Sequence, residues 1–140
     1  MINLVEVNPQ SKDHLSILFE LLKGRDYSIS HQNMISFEDH IHFVRNNPYR
    51  KWFIIYKFNR VIGTCYCTYE NLLGINLNVH KVDLYKEIII ELTSCLSPLA
   101  PKPSVRNKRF CINVPTANKT LQKALLDLDA HLIQSTYLLL

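Results

Sequence analysis

Apolar and polar residues change rhythm within residues 73–96, and the rest of the chain can be arranged around that change. Leu73, Ile75, Leu77 and Val79 alternate with Gly74, Asn76 and Asn78, the period of two that turns one strand face into a core. From Val82 the spacing becomes three and four, so that Val82, Tyr85, Ile88, Ile89, Leu92 and Leu96 share one helix face. The pattern predicts a strand that becomes a helix through a turn at residues 80–83. Unpaired backbone N–H groups project from a helix start, which makes such a turn a candidate anion site.

The same reading places the remaining elements. Ile2, Leu4, Val5 and Val7 predict a first strand that ends at Asn8-Pro9. Leu15, Leu18, Phe19 and Leu22 predict a helix with Ser11 or Asp13 as N-cap and Gly24 as its stop. Residues 25–35 have no period and read as a polar loop of the kind that often carries function. Ser36 then opens a second helix through Phe37, Ile41 and Val44, with Asp39 in the acidic position of a capping box. Residues 52–58 are apolar on both faces, as in a central strand covered on both sides, and Asn59-Arg60 turns the chain into a third strand with a bulge at Gly63. Three strands in succession imply an antiparallel meander. Prolines break residues 98–103. Phe110, Ile112 and Val114 predict a fifth strand, and Leu121, Ala124, Leu125 and Leu128 a helix starting near Thr116 or Asn118. Residues 132–140 read as a last strand. The order is βααβββαβαβ, an α/β (α+β) mixture in one domain spanning residues 1–140.

Composition narrows the function classes. A hydrophobic fraction of 47% with 20% charged residues excludes a largely disordered chain. No apolar run approaches the roughly 20 residues that cross a bilayer, and the N-terminus lacks a leader pattern, so a soluble cytoplasmic protein is expected. The net charge of +4 favours an anionic partner weakly. Its densest cluster, Lys102, Arg106, Lys108 and Arg109, has no aromatic interleaving, and nucleic acid is not expected. Cys65, Cys67, Cys95 and Cys111 read as buried, reduced thiols. No second closely spaced Cys/His pair accompanies Cys65 and Cys67, so no metal is expected.

A set of short motifs adds to this. Ser30-His31, Ser36-x-Glu38-x-His40, Asn47-Pro48-Tyr49-Arg50-x-Trp52, Ile62-Gly63 and Asn71-x-x-Gly74-Ile75, with Asn113-Val114 and Asn118-Lys119 further on, resemble the GNAT superfamily of N-acetyltransferases over nearly the whole chain. The branch is the one that includes amino-sugar N-acetyltransferases. The resemblance implies a mixed, mostly antiparallel sheet flanked by helices, with a V-shaped opening between the strands on either side of the central helix. It also implies acetyl-CoA as cofactor, with its pyrophosphate at the strand-to-helix turn. In that arrangement the amides of Leu77, Asn78, Val79, His80 and Lys81 hold the thioester and pantetheine. Lys81 and Lys86 meet the phosphates, and Asn113 and Asn118 contribute from the fifth strand and the helix behind it. His31 or Glu70 is then the base acting on a small primary amine, such as an amino sugar.

At the turn itself the sequence departs from the family. The pattern Gln/Arg-x-x-Gly-x-Gly/Ala falls on Val82, Tyr85 and Glu87, with Asp83 at a fourth position that is often Gly, and the only glycines are Gly24, Gly63 and Gly74. The family's leaving-group Tyr falls on Leu125, and its Gly-Phe on Asp129-Ala130. Asp83 and Glu87 bring negative charge toward a pyrophosphate, and like charges at ~4 Å repel by about 1 kcal/mol in water and about 4 kcal/mol at an effective dielectric near 20. Asp83 also reads as an N-cap or first-turn carboxylate, and Tyr85 as core or as a ring filling the cofactor's space. His40 and His42 face different directions on one helix. Tyr49, Trp52 and Tyr66 line a pocket or pack as core. Two functions stay open: a non-catalytic or divergent ligand-binding or interaction relative with a degenerate acetyl-CoA site, and an active CoA-dependent N-acetyltransferase. The partner is a small-molecule amine or a protein, a second copy of the chain included.

Overall fold

The computed structural model describes residues 1–25 and 35–140. Among these residues one sheet contains β1 (Ile2–Glu6), β2 (Tyr49–Lys57), β3 (Arg60–Thr68), β4 (Leu72–Leu77) and β5 (Cys111–Ile112), in that spatial order. β1 to β4 pair antiparallel, and β5 joins β4 in parallel. Helices α1 (Lys12–Lys23) and α2 (Phe37–Arg45) pack on one face, and α3 (Val82–Cys95) and α4 (Lys119–Asp127) on the other. The expected mixed, mostly antiparallel sheet flanked by helices is what forms.

β2 explains the two-sided core. Its run of apolar residues sends Ile54 to Leu15, Leu18 and Val44 under α1 and α2, while Phe53 and Ile55 join Cys65, Leu73, Tyr85, Ile88 and Leu92 under α3 and α4. Fully burying an aliphatic or aromatic side chain of this size contributes roughly 1.5–3 kcal/mol. Three helices start on side-chain caps: Ser11 Oγ accepts from the His14 N–H, Ser36 Oγ from Asp39, and Asn118 Oδ1 from Leu121.

Several expectations need correction. The β2–β3 hairpin turns at Phe58-Asn59, both with positive φ (50° and 63°), because the two-residue turn that matches strand twist needs left-handed backbone at both positions. The bulge lies at Ile62: pairing steps from Gly63 opposite Ile55 to Val61 opposite Tyr56. Val79 is outside β4 and exposed, and β5 is two residues long rather than spanning Phe110 to Val114. Cys95 is exposed and Cys111 half-buried, while Cys65 and Cys67 are buried. On α2 the inward positions are His40 and Val44, with Phe37 half out of the core. No strand forms over residues 132–140. Leu132, Ile133 and the run Tyr137, Leu138, Leu139 and Leu140 stay exposed and pair with no strand. No helix among the described residues is long and apolar enough to cross a membrane.

Candidate active-site cleft

The cleft begins where two strands part. β4 and β5 pair only at Leu72 opposite Cys111 and Leu73 opposite Ile112, after which Asn113 and Pro115 lead the chain away toward α4. A proline has no N–H to continue the ladder. On its other side β4 stays paired with β3 as far as Leu77, and the Asn78 N–H donates to the Ile62 carbonyl at 2.9 Å. Backbone groups alternate along a strand, so Asn76 and Gly74 also face β3, whereas the N–H and C=O of Ile75 and Leu77 face the opening. This is the V-shaped opening the motif resemblance implies.

Asn71 holds the far wall in place. It is wholly buried at positive φ, its Nδ2 donates to the carbonyls of Leu99 and Asn107, and its Oδ1 accepts from the Leu99 N–H. The Asn71 carbonyl also accepts from Cys111 at the start of β5. One side chain thus satisfies three backbone groups of the proline-broken loop and sets β5 beside β4. In the same loop Arg106 donates to the carbonyls of Ala100 and Tyr69.

The opening continues into a cavity of about 160 Å³ on the α1/α2 face. Arg25, at the end of α1, enters it beside Tyr49 and Tyr66, whose rings stack at 4.1 Å and 13°. Trp52 stands edge-on to Tyr49 at 5.0 Å. Burial pushes the Tyr49 hydroxyl up to about 12 and the Tyr66 hydroxyl in the same direction, with Arg25 opposing both shifts. Burial also lowers the Arg25 pKa, though an arginine stays charged at neutral pH. Neither Tyr49 nor Tyr66 hydrogen-bonds another described residue through its hydroxyl, and the Arg25 Nε is buried without a partner. The described lining contains no carboxylate; Asn76, Asn78 and Asn113 supply its other polar groups, with Thr64 at the base. His40 borders the cavity at 3% exposure between Phe19 and Phe37, and burial lowers its pKa. A Leu15 backbone group lies near His40, but neither ring nitrogen makes a hydrogen bond of acceptable geometry.

At the strand-to-helix turn Tyr85, Lys86 and Glu87 are engaged with other parts of the fold. α3 starts at Val82 with Lys81 as N-cap, and Lys81 makes no side-chain capping bond. Asp83 is therefore a first-turn carboxylate and not the cap. The Tyr85 N–H is already committed to the Lys81 carbonyl. Tyr85 is wholly buried, and its hydroxyl lies 2.8 Å from His80 Nδ1 and accepts from Asn118 Nδ2 at 3.1 Å. Lys86 pairs with Asp127 on α4 at 3.7 Å. The Glu87 carboxylate accepts from the Ile2 N–H at 3.1 Å, away from the turn.

The residues expected to act are thus dispersed. Leu77, Asn78 and Asn113 line the cleft, but the Asn78 amide is already donated to β3. Val79 and Lys81 are exposed beside the α3 start. Asn118 is 2% exposed and caps α4, and Lys86 pairs with Asp127. Glu70 is on the exposed β3–β4 turn and is not part of the cavity lining. His31 lies outside the described residues. Arg25 was missed because it directly follows a helix stop and was read as loop. No group of three or more His, Cys, Asp or Glu among the described residues could hold a metal ion.

A solved structure described as a possible acetyltransferase from Clostridium difficile 630 superposes with a TM-score of 0.55, covering 99% of this chain and 97% of that one at 11% identity. The fold is acetyltransferase-like. No family model matches the sequence, and no curated protein does. Tyr85 and Glu87, on which the sequence resemblance lays the glycine pattern, lie inside α3, their amides drawn into its own ladder.

Proposed function

We propose that this chain is a divergent acetyltransferase-like protein that binds a small ligand in the β4–β5 cleft and has a degenerate acetyl-CoA site. The observation that carries this reading is the winding of Val82, Tyr85 and Glu87 into α3, where a pyrophosphate needs an open run of glycine amides. Tyr85 supports it by filling the space between α3 and α4. Isothermal titration with acetyl-CoA tests it. Binding no tighter than about millimolar is expected, equivalent to about 4 kcal/mol; a micromolar Kd would overturn the reading.

A second reading is an active CoA-dependent N-acetyltransferase acting on a small primary amine, amino sugars included. It is favoured by the open β4 edge at Ile75 and Leu77 and by an α3 start without a side-chain cap. Under that reading, Asp83→Gly tightens acetyl-CoA binding and Lys81→Ala weakens it. The opposite order would show that the phosphates lie elsewhere.

A further inference from the structure

The cavity behind the cleft carries a charge that no described residue of its lining balances. Arg25 brings a guanidinium to a space of about 160 Å³ whose described lining has no carboxylate. The arginine Nε is buried without a partner, and the Tyr49 and Tyr66 hydroxyls beside it have none among the described residues. A half-buried cation with no counter-ion among the described residues is partly desolvated without compensation, and a planar guanidinium is matched by a carboxylate through two parallel hydrogen bonds. Trp52 and Phe43 supply aromatic wall, and Asn76 and Asn113 add amide groups to the lining. A cavity of about 150 Å³ accommodates a benzene-sized body.

We propose that this cavity binds a small monocarboxylate with a flat apolar body, its carboxylate on Arg25 and the hydroxyls of Tyr49 and Tyr66. The single guanidinium matches one negative charge, and the aromatic walls give a multiply charged phosphate little to bind. The inference names the ligand class for the cleft and rests on the reading that this cleft holds a small ligand. It does not depend on whether acetyl-CoA binds at the α3 turn.

The test uses benzoate, its neutral isostere benzamide, the cation benzylamine and inorganic phosphate, each titrated into the full chain by calorimetry and ligand-observed NMR. Benzoate should bind at least about ten-fold more tightly than the other three, the scale of a charge-assisted hydrogen-bond pair. Arg25→Gln should remove that preference and Arg25→Lys should retain part of it, since a lysine keeps the charge but not the fork. Equal binding of benzoate and benzamide, tighter binding of phosphate, or an unchanged preference in folded Arg25→Gln would each overturn the proposal. If Arg25→Gln fails to fold, the four-ligand comparison on the unaltered chain decides. No benzoate binding together with no acetyl-CoA binding sinks this inference and leaves the degenerate-site reading standing. Benzoate binding together with micromolar acetyl-CoA does the reverse.

Discussion

The Tyr66 ring occupies the space above Gly74 where any other residue would carry its Cβ. The two residues are register partners across β3 and β4, and the ring then stacks on Tyr49. The floor of the cavity therefore depends on a missing side chain. Gly74→Ala should destabilise the fold by about 1–3 kcal/mol through overpacking, read as a lower urea midpoint. In a Tyr66→Ala background the same change should cost clearly less, because the two sites share one volume. Equal costs in both backgrounds would count against the contact.

Asn71 combines a left-handed backbone with three side-chain hydrogen bonds. Asn71→Ala should lower stability by at least about 2 kcal/mol, since each lost bond leaves a loop backbone group unpaired and alanine tolerates positive φ poorly. Hydrogen exchange at the Leu99 and Cys111 amides should accelerate. Unaltered exchange would show that the loop is anchored by something else.

His40 predicts a pH dependence. Its folded pKa is below the ordinary value of 6.5 because burial disfavours the charged ring. The unfolded chain then binds its proton first as pH falls. The neutral-ring contribution is fully present above about 6.5 and is lost as pH falls below it toward the folded pKa. His40→Phe should flatten the stability profile across this interval in urea titrations at successive pH values. A profile parallel to that of the unaltered chain would place the dependence on other groups.

The tail predicts a null effect on stability. Leu132, Ile133, Tyr137, Leu138, Leu139 and Leu140 are exposed, so deleting residues 131–140 should shift Tm by no more than about 2 °C, less than 1 kcal/mol in a chain of this size. A large drop in Tm would show that these residues pack in solution. The extended apolar run should also raise self-association, and its removal should lower light scattering at high concentration.

Much of the scaffold was legible because periodicity reports burial directly. β2 announced its two buried faces, Ser11 and Ser36 announced their helices, and the shift in period at Val82 located the start of α3. The end of the chain was misread because an apolar composition at residues 132–140 describes a segment able to be a strand, and says nothing of whether a partner edge is within reach. The cleft was only partly legible. Tyr49, Trp52 and Tyr66 could be named as candidate lining, but their convergence with Arg25 spans α1, β2 and β3 and leaves no local signature. The turn was the opposite case. Its charged residues were visible, yet Asp127 and Ile2, which engage Lys86 and Glu87, are remote in sequence.

Trp52 is the only tryptophan in the chain, and it stands in the cavity wall with Tyr49 at 5.0 Å and Phe43 at 6.0 Å. Nature has thereby placed a single optical reporter at the cleft. Indole emission from this protein originates from one position, so a change in its wavelength or quenching on adding a compound reads occupancy of that cavity without label or assay chemistry. A library of small acids and amines can be screened on the unmodified chain by light alone.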